Sequence, residues 1–161
     1  GANPPPNNWL RLVRSGNSVS GYVSANGTSW SLLQTVNFNS LASSVSLGLC
    51  VCSANNAALA TATFDNVTIA PLNSSGLTGR DIGAVGLVGS TSLSGGVYTV
   101  RGSGSDIYGT ADSFHFASTT LSCDVDFRVR VTGMTNTASW AKAVKNSKSP
   151  KKNPAALAFV A

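Results

Sequence analysis

Two aspartates in the last third of the chain have the spacing that best suits catalysis. Asp124 and Asp126 alternate with apolar residues in the segment Cys-Asp-Val-Asp-Phe-Arg-Val-Arg at positions 123–130. At a rise of ~3.3 Å per residue, positions i and i+2 on one strand face lie about 6.6 Å apart. That separation is close to the one between the two carboxyl groups of a glycosidase. Because Arg128 and Arg130 follow on the same face, we expect a solvated charge ladder rather than a catalytic pair.

The rest of the chain offers few groups for acid, base or nucleophilic catalysis. It contains no glutamate, six aspartates and a single histidine, His115. No serine or cysteine stands in a recognisable nucleophile elbow, and an imidazole between Phe114 and Phe116 is more often structural than catalytic. We therefore assign His115 no role and predict that the protein is not an enzyme.

Aromatic residues near predicted turns indicate a different chemistry, the binding of sugars. A flat ring packs on the C–H face of a pyranose, while amides and hydroxyls read its hydroxyl groups. The aromatic residues nearest predicted turns are Tyr22, Trp30, Tyr108 and Trp140, and Asn, Ser and Thr are abundant around them. These four are the predicted ligand-binding residues, although a tryptophan just after a hairpin also suits the core.

The positive charge of the chain is concentrated near its C-terminal end. The formal net charge is +5, but all five lysines lie between Lys142 and Lys152, and six arginines balance six aspartates elsewhere. We expect a solvated basic tail at 142–152 rather than a nucleic-acid-binding face. No apolar run approaches the roughly 18 residues of a membrane helix, so membrane insertion is not predicted.

The elements that must position these residues are strands. Short runs of β-branched and aromatic residues recur between Gly, Asn and Ser turns, which predicts an all-β fold. The predicted strands span 9–14, 18–24, 28–36, 45–53, 61–69, 97–101, 112–117 and 123–132. Asn26-Gly27 predicts a tight hairpin before the third strand. The composition of 71–80 is that of a linker, so we place a seam between two patterned halves there.

The three cysteines have no metal-binding pattern with His115. Cys50 and Cys52 share one face of a predicted strand. Either of them could form a disulfide with Cys123 on a partner strand, or they could be small buried thiols, which is the commoner outcome.

Several motifs together resemble a known bacterial domain. Trp9-Leu-Arg-Leu-Val-Arg-Ser-Gly-Asn17, Gly21-Tyr22, Ser24-Ala-Asn-Gly-Thr-Ser-Trp30 and Ala60-Thr-Ala-Thr-Phe-Asp-Asn-Val-Thr68 resemble the C-terminal half of the DUF1349, "regulation of enolase"-like group. Asp81-Ile-Gly83, Gly102-Ser-Gly-Ser-Asp-Ile-Tyr-Gly109, Asp112-Ser-Phe-His-Phe116 and Trp140-Ala-Lys-Ala143 look like its N-terminal half. The halves stand in inverted order: 1–70 is C-terminal-type, 71–80 is the seam, and 81–161, with the basic tail, is N-terminal-type.

The resemblance implies a jelly-roll β-sandwich of the concanavalin A-like lectin/glucanase superfamily, found in repeats on large secreted bacterial proteins. Two inverted halves cannot each bury an inner face, because an isolated half-sheet has no second layer to pack on. Either the chain closes on itself as a circular permutant, or neighbouring copies complete it by strand complementation. Asp65 and Asp81 would occupy the last and first strands of the natural domain order, where sandwich modules sometimes bind structural Ca²⁺.

Three functions remain open from the sequence. The preferred one is a non-catalytic, secreted or extracellular carbohydrate-binding accessory module whose partner is a polysaccharide or other glycan. The second is a structural or adhesive repeat that self-associates. The third is a glycoside hydrolase using Asp124 and Asp126. Apart from Ca²⁺, we expect no cofactor.

Overall fold

The regular elements in the described residues of this protein are all β-strands. The computed structural model describes residues 8–71, 76–108, 111–135, 137–138, 141, 145–146 and 156–160, in which strands, turns and loops occur and no helix does. The strands are β1 (Asn8–Ser15), β2 (Ser18–Ser24), β3 (Ser31–Asn37), β4 (Val45–Val51), β5 (Ala60–Ala70), β6 (Thr78–Ile82), β7 (Ser90–Ser94), β8 (Val97–Gly102), β9 (Ile107–Tyr108), β10 (Ala111–Asp112), β11 (Phe114–Leu121), β12 (Val125–Met134), β13 (Lys145–Asn146) and β14 (Ala156–Val160). The predicted all-β class is confirmed.

Two sheets form a sandwich. The larger, which we call sheet A, has seven strands in the order β3-β2-β1-β12-β5-β8-β7, and all its neighbours run antiparallel. The smaller, sheet B, has five strands in the order β13-β14-β4-β11-β6, with β14 and β4 parallel. A separate two-stranded sheet is formed by β9 and β10. The predicted β-sandwich is therefore present in the structure.

The core lies between sheets A and B. In β12 the apolar residues Val125, Phe127, Val129 and Val131 are buried and alternate with half-buried charged residues, as period-two patterning requires. They pack with Leu47 and other apolar residues of sheet B in one continuous cluster. Full burial of a Phe or Val side chain contributes about 1.5–3 kcal/mol, so this inner layer is the main source of stability.

The chain completes this sandwich by itself. β12, from the second patterned half, lies between β1 and β5 of the first half, with seven residue pairs to β1. In the other sheet, β4 from the first half lies between β14 and β11 from the second. Strands from the two sides of the seam are therefore interleaved within each sheet, and each half supplies neighbours to the other half.

The structure corrects two local expectations and adds a strand that the sequence pattern did not predict. The connection between β2 and β3 is a six-residue loop, 25–30, so the predicted tight hairpin at Asn26-Gly27 is wrong. Only Gly27 of that pair has a positive φ, of +75°, whereas a type I′ turn needs two. The strand β6 begins at Thr78, inside the stretch read as linker, and β7 was not predicted at all. Both are short edge strands rich in Ser, Thr and Gly, which weakens their sequence signal.

Neither of the two buried cysteines is bonded to Cys123. Cys50 and Cys52 are buried in a second small cluster with Ile107, Phe114 and Phe116, on the side of sheet B that faces away from sheet A. Cys123 is exposed and is not in a disulfide. The bridge to Cys123 that the sequence left open is therefore absent, and the two buried cysteines pack in this cluster, where Cys52 Sγ also donates to the backbone oxygen of Gly104 at 3.4 Å.

Within the described residues there is no helix long and apolar enough to cross a membrane.

Candidate functional site

The outer face of sheet A carries an unusual concentration of aromatic and arginine side chains. On β1, Trp9 and Arg11 alternate with the inward-facing Leu10 and Leu12, so both point away from the core. Register places Arg11 opposite Tyr22 of β2 on one side and opposite Arg128 of β12 on the other. We call this surface the aromatic–arginine face; it consists of Trp9, Arg11, Tyr22, Trp30, Asp126 and Arg128.

One carboxylate organises the centre of this face. Asp126 Oδ1 accepts hydrogen bonds from Nε of Arg11 at 2.9 Å and from Nε of Arg128 at 3.2 Å. Its Oδ2 accepts from Nη2 of the same two residues, at 2.9 and 2.7 Å. Two bidentate guanidiniums thus share one carboxylate, which offsets the repulsion expected between directly opposite arginines. The trio retains one net positive charge.

Aromatic rings cover these guanidiniums. Arg11 Cζ lies 5.3 Å from the ring centroid of Tyr22 and 5.9 Å from that of Trp30. Arg128 Cζ lies 6.0 Å from the Trp30 centroid, so this indole spans both arginines. Such cation–π contacts stabilise by about 0.5–1 kcal/mol at exposed sites. The rings and cations form one interlocked surface.

The loop that carries Trp30 is held by its own polar side chains. Ser24 Oγ accepts hydrogen bonds from the backbone N–H groups of Asn26 and Gly27, at 3.2 and 2.9 Å. Asn26 Oδ1 accepts from the N–H groups of Thr28 and Ser29, at 3.0 and 2.8 Å. These Asx- and Ser-type turns order the loop backbone before any ligand arrives.

A second ion pair continues the face toward β5. Arg130 donates to Asp65 through Nε at 2.7 Å and also through Nη2. Its Cζ lies 5.6 Å from the Trp9 ring centroid. A Cβ on Gly27 would lie 2.8 Å from the same ring, so Trp9 packs closely against glycine backbone. The Trp9 ring therefore packs between Arg130 and the backbone of Gly27.

The carboxylate of Asp126 and that of the adjoining Asp65 are both held ionised. The hydrogen bond from Arg130 holds the pKa of Asp65 below its ordinary value, against a smaller opposing effect of burial. Burial raises the pKa of Asp126, but hydrogen bonds from Arg128 and Arg11 outweigh it, so this pKa is also lowered. The same bonds raise the pKa of Arg128 and Arg130. A carboxyl group with a lowered pKa is a poor proton donor near neutral pH.

Hydroxyl groups flank the aromatic and charged residues. Ser20 Oγ and Thr35 Oγ1 are hydrogen-bonded at 2.8 Å between β2 and β3, and Thr132 donates to Thr63 at 2.9 Å between β12 and β5. Side chains of this kind can donate to and accept from sugar hydroxyls.

The four aromatic residues that were predicted to bind a ligand have different outcomes in the structure. Tyr22 and Trp30 come together over Arg11. Tyr108 lies in β9, whose neighbour residue Ile107 packs on the far side of sheet B, and the side chain of Tyr108 is outside the described part. Trp140 lies outside the described residues altogether.

The two aspartates proposed for Ca²⁺ lie on different sheets, Asp65 in β5 and Asp81 in β6. Asp65 is bound by Arg130, and Asp81 accepts hydrogen bonds from His115 and from the backbone of Gly89. Both carboxylates are therefore occupied by protein donors, and the pair does not fit one shared Ca²⁺ site. The described residues also contain no group of three or more His, Cys, Asp or Glu side chains able to hold a metal.

Asp124 and Asp126 have separate roles in the structure. Asp124 precedes β12, is exposed, and accepts a hydrogen bond from the backbone N–H of Gly16 at 2.7 Å. Asp126 is the shared acceptor of two arginines. Of the predicted charge ladder, Asp126, Arg128 and Arg130 lie on β12 and form ion pairs that reach β1 and β5, whereas Asp124 lies outside the strand and takes no part in it.

His115 has a definite place that sequence reasoning missed. It faces inward on β11, where its Nδ1 lies 2.7 Å from Asp81 Oδ1 and its Nε2 lies 2.9 Å from Thr91 Oγ1. A Cβ on Gly89 would lie 2.3 Å from Nδ1, and one on Gly79 would lie 2.6 Å from Nε2. We call Asp81, His115 and Thr91 the inter-sheet clasp, since it joins β6 and β11 of sheet B to β7 of sheet A. An Asp-His-hydroxyl relay resembles a catalytic triad, but glycine backbone packs against this imidazole on both sides.

Trp9 and Arg11 were also not predicted from the sequence to be part of the candidate site. Their signal was the alternation Trp-Leu-Arg-Leu at 9–12, in which every second residue is apolar and aliphatic.

Comparison with protein-family models, with curated proteins and with solved structures gave no match for the chain. The function is therefore inferred from the site itself.

Proposed function

We propose that the protein is a non-catalytic, extracellular carbohydrate-binding accessory module whose ligand lies on the aromatic–arginine face. The observation that carries the proposal is the grouping of Tyr22 and Trp30 over Arg11 on one outer sheet face. The extracellular setting is supported by the resemblance of the sequence motifs to repeats of secreted bacterial proteins.

The chemistry of the face suits a polysaccharide. Tyr and Trp rings supply apolar area with a polar edge, and guanidiniums and hydroxyls supply directional hydrogen bonds. A sheet face is broad and open, which suits a chain that extends beyond the contact area. The loop that carries Trp30 is held by four hydrogen bonds to Ser24 and Asn26, and such preorganisation reduces the entropic cost of binding.

A binding role accounts for Asp126 better than a catalytic one. A glycosidase needs one carboxylic acid that retains its proton near the working pH. Asp126 is bound by two arginines and its pKa is lowered, so it stays ionised.

A glycan array followed by titration calorimetry tests the proposal. We expect binding of at least one polysaccharide, and a loss of about tenfold or more in Trp30→Ala, corresponding to ~1.4 kcal/mol. Leu93→Ala, at the opposite edge of sheet A, is the matched control and should bind as the parent does. Absence of binding across the array, or equal affinity in Trp30→Ala, would overturn the proposal.

A second candidate function is a structural repeat that self-associates, and the edge strand β3 favours it. β3 contains no charged residue and no proline, the usual protections of an open edge. Its Leu32 and Leu33 are 57% and 53% exposed. Because sheet A has seven antiparallel strands, β3 and β7 run in the same direction. A two-fold axis would pair β3 with β3 of a second copy in antiparallel fashion and close a dimer.

Light scattering over a concentration series tests this second candidate. If β3 mediates assembly, Leu33→Lys should abolish a dimer that the control Leu93→Lys, on the β7 edge, retains. A monomer at every concentration would eliminate the structural function and leave the binding function standing.

A further inference from the structure

We propose that the ligand of the aromatic–arginine face is an anionic polysaccharide, one that bears carboxylate or sulfate groups. The inference rests on the proposed function and specifies its substrate class. It starts from the distribution of charge across the outer face of sheet A.

The unbalanced positive charge of this face lies directly beneath the aromatic rings. Arg130 and Asp65 neutralise each other as a bidentate pair. Arg11 and Arg128 share the single carboxylate of Asp126, so that trio has a surplus of one positive charge. The surplus is located where Trp30 spans both guanidiniums.

The two arginines retain donors for a second anion. Both use Nε and Nη2 for Asp126. Within the described part of the chain, neither Nη1 group donates a hydrogen bond to protein. Arg128 is well placed to use its own, since its side chain is 42% exposed. Guanidiniums bind carboxylate and sulfate oxygens through short charge-assisted hydrogen bonds, and Asp126 already shows this geometry with a carboxylate.

Charge and aromatic contact together favour an acidic sugar over a neutral one. A neutral pyranose would leave the surplus charge without a partner, whereas an acidic sugar can pair its anion with Arg128 and its ring with Trp30 or Tyr22. A nucleic acid fits less well, because binding it generally requires many phosphate contacts along the backbone. The remaining arginine on this outer face, Arg101 of β8, is exposed and lies two strands away from β12.

Calorimetry with four polymers tests the inference: polygalacturonate, sulfated carrageenan, neutral galactan and oligo(dT). We expect an anionic polysaccharide to bind about tenfold or more tightly than galactan, with an affinity that falls as salt rises. Preference for polygalacturonate identifies carboxylate as the recognised group, and preference for carrageenan identifies sulfate.

Arg128→Gln and Arg101→Gln form a matched pair of variants, since each removes one positive charge from the same outer face. Arg128→Gln leaves Asp126 paired with Arg11, and a thermal melt verifies that both variants fold. We expect Arg128→Gln to lose about tenfold in affinity for the anionic polymer and Arg101→Gln to lose less than about twofold.

The remaining outcomes distinguish a failure of the anionic inference from a failure of the proposed function. Equal or tighter binding of galactan overturns the anionic inference but leaves carbohydrate binding intact. Binding of oligo(dT) above all three polysaccharides, with loss in Arg128→Gln, replaces the glycan by a nucleic acid. Equal losses in the two variants would mean that the charge acts from a distance and would also overturn the inference. Binding of no polymer contradicts the inference and the proposed function together.

Discussion

At the scale of single residues, one histidine and one arginine show how polar side chains are accommodated inside this sandwich. His115 is 3% exposed, yet both ring nitrogens have partners in the inter-sheet clasp. Arg14 is similarly buried, and it donates to the backbone oxygens of Gly16, Ala42 and Ser43 at one end of the core. In the described residues, no buried side-chain nitrogen or oxygen lacks a hydrogen-bond partner. These polar groups therefore connect different parts of the fold, and their hydrogen bonds compensate for the free energy that is lost when they are removed from water.

The inter-sheet clasp predicts a large and specific loss of stability. His115→Ala removes a packed ring and leaves Thr91 and Asp81 each without one partner, so we expect a destabilisation of about 2–4 kcal/mol. Thr91→Val removes only the hydroxyl and should cost about 0.5–1.5 kcal/mol. Urea denaturation followed by fluorescence measures both values. Ser92→Ala, an exposed neighbour on β7, is the control and should change stability by less than about 0.5 kcal/mol. A His115→Ala value as small as that of the control would show that the clasp is not structural.

At the scale of elements, β12 is the strand on which sheet A depends. It has a long neighbour on each side, and ion pairs from its outer face reach β1 and β5. Its buried face carries four apolar residues of the core. One strand therefore supplies the centre of the core on one side and the charged centre of the candidate site on the other.

The ion pairs of β12 predict a loss of stability in acid. Folding lowers the pKa of Asp65 and Asp126, so the unfolded chain binds more protons than the folded chain as pH falls. The stabilisation is present above the unfolded-state pKa of about 4 and is lost as pH falls through the lower folded-state values. Thermal melts between pH 7 and pH 2 should show the melting temperature falling most steeply below about pH 4.

Two variants verify the source of that acid dependence. Asp126→Asn should melt at a lower temperature than the parent at pH 7 and converge on it as pH falls, because the parent then loses the same charge. Asp124→Asn, which alters an exposed residue before β12, should follow the parent curve. A parallel fall of the parent and Asp126→Asn across the whole range would refute the role of this ion pair.

At the scale of the whole molecule, the interleaving of the two halves determines how the protein folds. β12 must insert between β1 and β5, and β4 must lie beside β11, so most strand pairs join distant parts of the chain. Neither half has a complete inner layer of its own. Such non-local pairing makes folding one cooperative event rather than two independent ones.

Separated halves should therefore be unfolded alone. We expect fragments 1–71 and 76–161 each to show no cooperative thermal transition by circular dichroism. Each fragment lacks strands of the other half that lie beside its own strands in the two sheets. Mixed at equal concentration, they should recover the β-sheet spectrum and elute together. A sharp transition in either fragment by itself would contradict a core shared between the halves.

The all-β class and the positions of most strands could be predicted from the sequence, because period-two alternation is a property of each strand taken alone. The alternation also predicted the outward-facing charges Asp126, Arg128 and Arg130, and two of the four predicted ligand-binding aromatic residues, Tyr22 and Trp30, lie over Arg11 on the outer face. That Arg11 and Arg128 share Asp126 depends on the tertiary structure, because Arg128 is two positions from Asp126 on the same strand whereas Arg11, on β1, is 115 positions away. The tertiary structure likewise brought His115 to Asp81 and Thr91, and it separated Asp81 from Asp65. The physical reason is that cross-strand neighbours are set by sheet order and register, which depend on how the whole core packs and not on any local pattern.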